Sequence, residues 1–301
     1  MTNDFSHRVQ MSAKCVSDHL SELLISAPDS FENKRPDRLI SAMRHGSLNG
    51  GKRLRPFLVF ESAALFGVTQ EEALSAACAL ECVHCYSLIH DDLPAMDDDD
   101  LRRGQPTVHK AYDEATAILA GDALLTFAFD LMAQDHTHPD PAVRCELVLH
   151  LARASGMGGM IGGQMLDIEA ETATPDEKAI RTLQSMKTGA LIRFGCEAGA
   201  ILGGASLSER KALTRYGDII GLAFQLADDV LDQTSSANVM GKAVGKDAEQ
   251  GKGTLVDLHG IDAVRAELAS LVKEADVCLE PFGQKADGLK QAARFVANRE
   301  S

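Results

Sequence analysis

Apolar residues recur at three- and four-residue spacing along most of this chain, and alternating strand-like runs are nearly absent. Such spacing places apolar side chains on one face of each of a series of α-helices. The periodic segments lie near 4–26, 53–66, 70–92, 107–134, 175–203, 207–235 and 261–299, with proline and glycine breaks between them. No low-complexity linker or fixed-period repeat divides the chain. The pattern therefore predicts an all-α fold of roughly ten helices in a single domain over 1–301.

The charge balance limits the classes of partner. Forty-four acidic residues against 30 basic ones give a net charge of −14, which repels phosphate backbones and anionic lipid surfaces. The first 30 residues show no signal-peptide pattern, and the apolar stretch from Ala115 to Met132 is interrupted by Asp122 and Asp130. We therefore expect a soluble cytoplasmic protein with no nucleic acid partner and no stable membrane insertion.

The cysteines indicate a reducing compartment, because seven is an odd number and no export signal accompanies them. Cys82-Val83-His84-Cys85 does form a CxxC motif. A zinc site would need a second close pair, and a redox motif would need a neighbouring strand. Neither is visible, so we interpret these cysteines as small buried residues.

Four polar residues share one stripe of the helical segment 217–232. Gln225, Asp228, Asp229 and Asp232 recur at i, i+3, i+4 and i+7, while the other positions are almost wholly apolar. Carboxylates on an apolar helix are costly unless they are paired or bind a metal. The pattern favours a polar stripe that faces a cavity over an ordinary solvated helix face.

Another acidic run, Asp91-Asp92-Leu93-Pro94-Ala95-Met96-Asp97, ends an earlier helical segment. His84 lies seven residues before Asp91, so both side chains share nearly the same helix face, about 10 Å apart. Two carboxylates about 5 Å apart repel by roughly 3 kcal/mol at an effective dielectric constant of about 20. Mg²⁺ relieves such repulsion, and it prefers one or two carboxylates with waters and substrate phosphates to a closed protein cage. The two acidic runs together predict a shared site for divalent metal, on opposite sides of a cleft.

Basic residues accompany the acidic runs. The run from Gly46 to Lys52 matches most of a P-loop, but Arg53 stands where Ser or Thr would bind magnesium, and no strand precedes it. Lys52-Arg53-Leu54-Arg55-Pro56 fits either a solvated helix start or an anion cradle. Further basic positions near helix ends or loops are Arg102, Arg103, Lys187, Lys242 and Lys252. Carboxylates that hold metal and cations that hold oxyanions together indicate a site for diphosphate esters.

These motifs resemble those of the trans-isoprenyl diphosphate synthases, specifically the bacterial short-chain, farnesyl diphosphate synthase type. In chain order they are Gly50-Gly51-Lys52-Arg53-Leu54-Arg55-Pro56, the DDxxxxD run at 91–97, Leu101-Arg102-Arg103-Gly104, Gly163-Gln164 with Asp167, Lys187-Thr188-Gly189, Phe224-Gln225-Leu226-Ala227-Asp228-Asp229-Val230-Leu231-Asp232, Lys242 and Gly251-Lys252. They span about 46 to 254, and Gly253 departs from the Ser that is more common in the family. The resemblance implies an all-α bundle around a central active-site cavity.

The implied reaction is Mg²⁺-dependent head-to-tail condensation of isopentenyl diphosphate with dimethylallyl or geranyl diphosphate, giving farnesyl diphosphate and diphosphate. Asp91, Asp97 and Asp228 are implied as direct ligands of three Mg²⁺ ions, the number typical of the family. Asp92, Asp229 and Asp232 are implied as supporting residues, with Asp92 and Asp232 also counted in the metal-binding set. The implied catalytic residues are these six aspartates with Lys187, Thr188 and Gln225.

Two groups of substrate-binding residues follow from the same resemblance. Isopentenyl diphosphate is expected to bind through Lys52, Arg55, His84 and Arg103. The allylic diphosphate is expected to bind through Arg102, Lys187, Thr188, Gln225, Lys242 and Lys252. The departing diphosphate is implied as the base, and carbonyl and side-chain dipoles around Lys187, Thr188 and Gln225 are implied to stabilise the allylic cation.

Product length is expected to depend on Tyr86 and Ser87. An aromatic residue five positions before Asp91, with the Pro94-Ala95 insertion, is a pattern of C15 producers in the family. Ordinary core packing is the alternative for Tyr86, because it lies about 140° around the helix from Asp91.

Several alternatives stay open at this point. They are the same chemistry with a C10 or C20 product, a terpene cyclase, a noncatalytic partner subunit, and a metal-binding helical scaffold without turnover. A cyclase would usually carry an Asn/Ser/Glu motif on the later helix and would not need Lys52, Arg55 and His84. The resemblance also implies a homodimer, whose contact face the sequence does not identify.

Overall fold

The computed structural model describes residues 2–30, 32–173, 175–238 and 254–299. Lys242 and Lys252 therefore lie outside the described residues. Almost all regular structure in the described ranges is helical, which confirms the predicted all-α fold. The chain divides into two compact units, Met1–Phe60 with Thr69–Val148 and Glu61–Val68 with Leu149–Ser301. The single domain over 1–301 and the central cavity stay predictions.

The first unit is built from helices and one short hairpin. Its elements are α1 (Thr2–Leu23), α2 (Asp37–Leu48), the start of α3 (Leu54–Ala64), α4 (Gln70–Asp91), β1 (Leu101–Arg102), β2 (Gln105–Pro106), α5 (Val108–Ala111), α6 (Glu114–Ala133) and the start of α7 (Pro141–Ser155). The two strands are antiparallel, with Leu101 opposite Pro106 and Arg102 opposite Gln105.

The second unit contains the remaining helices. They are α8 (Met160–Ala170), α9 (Glu177–Gln184), a π-helical turn (Ser185–Gly189), α10 (Ala190–Leu202), α11 (Leu207–Asn238), α12 (Leu255–His259), α13 (Ile261–Leu279), a 3-10 segment (Glu280–Ala286) and α14 (Asp287–Ala297). In this unit α11 packs against α10 and α13, and its buried side of Tyr216, Ile220 and Leu226 forms much of the core.

Helix α4 is the central helix of the first unit. Thr69 and Glu72 form a reciprocal capping box that satisfies two donors at its start. Its middle is buried on nearly every side, including Cys78, Leu80 and Val83, and it packs most extensively against α6. Because the helix is surrounded by apolar neighbours, the polar residues of its last two turns are held in fixed positions.

Helix breaks within the long periodic segments were not predicted from the spacing. The segment 107–134 divides because Asp113 caps α6, accepting a hydrogen bond from the Thr116 amide at 2.7 Å. The segment 261–299 divides at the 3-10 segment, where Pro281 starts the turn and Gly283 has a φ of 57°. The segment 175–203 divides at the π-helical turn, which leaves the helical path almost continuous.

Two close backbone approaches fix the π-helical turn in the second unit. A Cβ on Gly163 of α8 would overlap the backbone of Lys187, and a Cβ on Gly221 of α11 would lie 2.7 Å from the Gly189 Cα. Both glycines therefore allow helices to approach more closely than any other residue would permit.

Two described helices, α4 and α6, are long and apolar enough to cross a membrane by length and composition alone. The apolar window of α4 is 72% buried inside the structure and that of α6 is 44% buried. Buried core helices of globular proteins share this length and composition.

All seven cysteines are free thiols, and burial raises the pKa of Cys85 to about 12.

Candidate active site

The first acidic run forms a compact loop at the end of α4. The backbone amide of Asp97 donates to the carbonyl of Asp91 at 2.8 Å, and the amide of Asp99 donates to the carbonyl of Asp92 at 3.2 Å. Asp98 has a φ of 48°, in the left-handed region that this tight return requires. The spacer between Asp92 and Asp97 therefore folds back and ties the main chain of Asp97 to the helix end.

Asp92 differs from its neighbour Asp91. The residue is 3% exposed, and its Oδ1 accepts hydrogen bonds from Nε, at 2.9 Å, and from Nη2 of Arg102. Burial raises the pKa of Asp92, and the Arg102 guanidinium opposes that rise. Asp91 and Asp97 are half-buried. Arg102 thus holds Asp92 as a fixed support, while Asp91 and Asp97 remain partly accessible to solvent.

The glycine loop before α3 contacts the hairpin. Gly50 and Gly51 have φ values of 82° and 111°, and Arg103 Nη1 donates to the Gly50 carbonyl oxygen. Glycine is favoured at position 51 by its φ of 111°, and a Cβ there would also displace the Arg103 guanidinium, which would lie 2.7 Å away. This contact brings the segment that carries Lys52 and Arg55 to the same region as Arg103.

Cationic side chains surround His84 on α4. Burial lowers the pKa of His84 well below its ordinary 6.5, and the charges of Arg55, Arg103, Arg53 and Arg102 lower it further. The imidazole is therefore neutral at pH 7, in a strongly positive environment. Arg53 pairs with Glu81 and Arg102 with Asp92. Arg55 and Arg103 are the two predicted diphosphate-binding arginines that act on this histidine, which lies two helical turns before Asp91.

Tyr86 and Ser87 lie in the same part of α4. Tyr86 is 5% exposed, and its ring meets the edge of the His90 ring at a centroid distance of 5.7 Å. Burial and the charge of Asp91 raise its pKa to about 12, and its hydroxyl has no hydrogen-bond partner among the described residues. Ser87 Oγ donates to the His84 carbonyl oxygen at 2.9 Å. His90 Nε2 lies 3.0 Å from the carbonyl oxygen of Ile118, which joins this end of α4 to α6.

The second acidic run forms a crowded group of carboxylates on α11. Gln184 Nε2 donates to Asp229 Oδ2 at 3.1 Å. Burial, followed by the charges of Asp228 and Asp232, raises the pKa of Asp229 to about 6, although the Gln184 hydrogen bond opposes the rise. The stripe predicted from the i, i+3, i+4, i+7 spacing is thus strongly negative, with Asp232 exposed and Gln225 half-buried.

The C-terminal end of the described chain adds a residue that the sequence motifs did not indicate. Arg299 Nη1 lies 2.9 Å from Asp228 Oδ1, and the Arg299 guanidinium lies 4.4 Å from the centre of the Phe224 ring. A single arginine after a helical segment gives no recognisable pattern, so nothing in the sequence connected it to Asp228.

The π-helical turn presents Lys187 and Thr188. Lys187 Nζ donates to Asp167 Oδ2 at 2.7 Å, which connects this turn with α8. Thr188 is buried, and the turn packs against α11. In the second unit the structure thus brings together Asp167, Lys187 and the helix that carries Gln225 and Asp228.

The donor set fits a hard divalent cation. Among the described residues, no group of three or more His, Cys, Asp or Glu side chains comes together as a metal cage. Magnesium does not require one, because it is commonly bound by one or two carboxylates with waters and substrate phosphates. The raised pKa of Asp229 results first from burial and then from the neighbouring charges of Asp228 and Asp232, and a bound cation would relieve the repulsion among these carboxylates.

Comparisons with known proteins agree with this chemistry. The family model described as polyprenyl synthetase matches residues 36–284. The chain is 40% identical to the farnesyl diphosphate synthase of Escherichia coli, over 98% of this chain and 99% of that protein. It is also 40% identical to a chloroplastic geranylgeranyl pyrophosphate synthase of Capsicum annuum, over 99% of this chain and 80% of that protein.

A solved structure shows a closely similar fold. The apo crystal structure of an FPP/GFPP synthase from Zymomonas mobilis superimposes with a TM-score of 0.87 and 43% sequence identity, covering 99% of this chain and 100% of that one. The family model alone covers well over half of the chain. The protein therefore belongs to the polyprenyl synthetase family.

Proposed function

We propose that the protein condenses isopentenyl diphosphate head-to-tail with dimethylallyl diphosphate and then with geranyl diphosphate, giving farnesyl diphosphate and releasing diphosphate at each step. One observation supports this proposal above the others: α4 carries His84 in a strongly positive environment and, two turns later, the carboxylates of the first acidic run, an arrangement that suits two separate diphosphate groups. Two separate diphosphate sites are what a prenyl chain-elongating enzyme needs. A terpene cyclase, with one diphosphate substrate, has no use for the first.

Lys52, Arg55, His84 and Arg103 bind isopentenyl diphosphate in this proposal. Arg55 and Arg103 both act electrostatically on His84, and Arg103 is held by the Gly50 carbonyl. Because His84 is neutral before the substrate arrives, it is free to donate one N–H to a phosphate oxygen without adding charge repulsion among the arginines. Guanidinium groups provide the planar, paired donors that phosphate oxygens accept best.

The allylic diphosphate binds at the acidic runs. Asp91, Asp97 and Asp228 would hold Mg²⁺, three ions in all, and Asp92, Asp229 and Asp232 would support them. When bound there, Mg²⁺ would supply the positive charge that stabilises the diphosphate as a leaving group. Arg102 fixes Asp92, and Lys187 offers a further cation to the diphosphate. Lys242 and Lys252 complete the proposed set from the sequence resemblance alone.

Carbon–carbon bond formation follows loss of the allylic diphosphate. The resulting allylic cation is attacked by the double bond of isopentenyl diphosphate, and the departed diphosphate removes the proton that restores the alkene. Thr188 is buried and Gln225 half-buried, so their dipoles act in a region with little water. Excluding water also prevents it from capturing the cation.

A C15 product is the length that we propose. Tyr86 is large, buried and next to the start of the acidic run, with Ser87 beside it. The curated relatives do not decide between lengths, because farnesyl and geranylgeranyl diphosphate synthases both appear at 40% identity. A C20 product is therefore the second candidate, and a C10 product the third.

The test is incubation with labelled isopentenyl diphosphate, each short allylic starter and Mg²⁺, followed by chromatography of the dephosphorylated products. We expect farnesol as the main dephosphorylated product of the wild type. We expect Asp91→Asn and Asp228→Asn each to lower kcat by at least about a hundredfold, because each removes charge stabilisation of the leaving group. Asp262→Asn, on an exposed turn of α13, is the matched control. Consumption of an allylic substrate without isopentenyl diphosphate would favour a cyclase, and no consumption a noncatalytic subunit or scaffold.

A homodimer in the cytoplasm completes the proposal. Helix α6 exposes Ile118 and Leu119, which are 44% and 58% exposed, on a helix with few charges. Exposed apolar side chains on a helix with few charges support a contact surface between subunits there. Light scattering coupled to size-exclusion chromatography measures the mass, and a mass of 32.2 kDa would contradict the dimer.

A further inference from the structure

Beneath the glycine loop of the first unit lies a buried ion pair to which the proposed reaction assigns no role. Arg53 Nη1 donates to Glu81 Oε1, and each side chain is 1% exposed. Arg53 Nη2 also donates to the carbonyl oxygen of Ser47, and Nη1 lies 3.6 Å from the sulfur of Cys85. One guanidinium therefore connects the end of α2 with the middle of α4.

The backbone at Arg53 is strained. Its φ is 49°, in the left-handed region that residues with a Cβ rarely adopt. Such a conformation persists only where the surrounding contacts enforce it, and these positions are concentrated at functional sites. Here the contacts that enforce it are those of the Arg53 side chain with Glu81 and Ser47.

The pair lies between the chain segments that bear the isopentenyl diphosphate residues. Arg53 is adjacent to Lys52 and two residues before Arg55. Glu81 is three residues before His84 on α4, so both face nearly the same way. A lysine at position 53 would not replace the arginine, because only the planar fork reaches a carboxylate and a carbonyl at once.

We propose that Arg53 and Glu81 are positioning residues for the isopentenyl diphosphate site. They hold the loop at 49–53 against α4, so that Lys52 and Arg55 meet His84 at the spacing a diphosphate requires. This inference rests on the proposed function of that site. A buried ion pair is a poor source of stability compared with apolar residues of the same size, which makes a purely structural role a weaker explanation.

The decisive variant replaces both charges: Arg53→Met together with Glu81→Met. This exchange nearly keeps the total side-chain volume and removes both buried charges. Methionine, like arginine, carries a Cβ, so the backbone preference at position 53 is unchanged. The control is the same exchange at Arg181 and Glu267, which pair through Nη1–Oε1 at 2.9 Å and Nη2–Oε2 at 3.1 Å in the second unit. Wild type and both double variants are compared for melting temperature, for KM of each substrate, and for direct binding of isopentenyl diphosphate by calorimetry.

We expect the Arg53/Glu81 double variant to stay folded while its KM and Kd for isopentenyl diphosphate rise at least about tenfold, since small displacements of binding groups carry large penalties. Its KM for the allylic substrate should change less than about twofold, as should every constant of the control. An unchanged Kd for isopentenyl diphosphate in a folded double variant would overturn the inference.

Two further readouts keep the test decisive. If the double variant does not fold, Glu81→Gln takes its place, because it preserves the side-chain shape and one acceptor oxygen. An unchanged Kd for isopentenyl diphosphate in this folded variant would likewise overturn the inference. Equal rises in the KM of both substrates would also overturn the inference, because they indicate general loosening of the fold. Failure of wild type to bind isopentenyl diphosphate would instead refute the proposed function, so the two failures are distinguishable.

Discussion

At the scale of single residues, two arginines hold carboxylates of the acidic runs: Arg102 pairs with Asp92, and Arg299 pairs with Asp228. The stripe from Gln225 to Asp232 follows directly from helical geometry, and the structure places these residues on one helix as expected. Arg102 was expected near phosphate, yet two of its guanidinium nitrogens hydrogen-bond Asp92. Arg299 was not expected at all, because its contact with Asp228 joins residues about 70 positions apart. Long-range pairs depend on tertiary packing, which the periodicity of one helix does not encode.

Asp229 provides a prediction about pH. The pKa of its carboxyl is raised to about 6 from an ordinary 3.8, so ionisation costs the folded protein stability. The cost is absent below pH 3.8, grows between 3.8 and 6, and is complete above 6, at roughly 3 kcal/mol or less. We therefore expect Asp229→Asn to stabilise the metal-free protein at pH 7.5, with a gain that shrinks as the pH falls toward 4. Urea unfolding at both pH values measures the gain, and a variant less stable than wild type at pH 7.5 would contradict the prediction.

Tyr86 provides a prediction about product length. Its buried ring, stacked edge-on against His90, fills space beside the first acidic run. Removing the ring with Tyr86→Ala should leave room for a longer chain, so we expect C20 and longer products in place of C15. Chromatography of the dephosphorylated products measures the shift, and Tyr86→Phe, which keeps the ring, should retain C15. A C15 product from Tyr86→Ala would show that Tyr86 is ordinary core packing.

At the scale of elements, the apolar periodicity gave the positions of the long helices and missed their interruptions. Segment 70–92 became α4 almost unchanged, since its capping box and apolar run agree on the same boundaries. The shorter helices α2, α7 and α8 were not among the predicted segments. Glycine weakens the helical signal in α8, because Gly162 and Gly163 carry no apolar side chain. Their value lies in tertiary contact, which is invisible to a one-dimensional pattern.

Gly163 provides the prediction at this scale. A methyl group there would overlap the backbone of Lys187, so α8 and the π-helical turn would have to separate. We expect Gly163→Ala to lower the free energy of unfolding by about 1–3 kcal/mol and to raise the KM for the allylic substrate as Lys187 moves. Gly158→Ala is the matched control, because a Cβ at Gly158 would meet nothing within 4 Å. Denaturant unfolding and steady-state kinetics measure both effects, and equal behaviour of the two variants would contradict the role of Gly163.

At the scale of the whole molecule, the motif order along the chain carried more information than any local pattern. The all-α class followed from the periodicity alone, and the family from the combination of acidic, basic and glycine motifs across about 200 residues. The compact units, by contrast, do not follow the sequence simply, since the short segment Glu61–Val68 belongs with residues after Leu149. Such grouping depends on how helices pack, and no single stretch of residues specifies it.

Cooperation of the two acidic runs is the prediction that belongs to the whole molecule. If Asp91 and Asp228 act on the same allylic diphosphate, removing either one already disables its departure, and removing both costs little more. We therefore expect the double variant Asp91→Asn with Asp228→Asn to lose far less in kcat than the product of the two single losses, as residues of one catalytic unit do. Pairing Asp91→Asn with Asp262→Asn, whose carboxylate is exposed on α13, should instead give additive effects. Single-turnover assays at saturating Mg²⁺ measure the loss in each variant. If the losses from Asp91→Asn and Asp228→Asn multiply in the double variant, the two acidic runs bind different ligands. The proposed condensation would then lose its chemical basis.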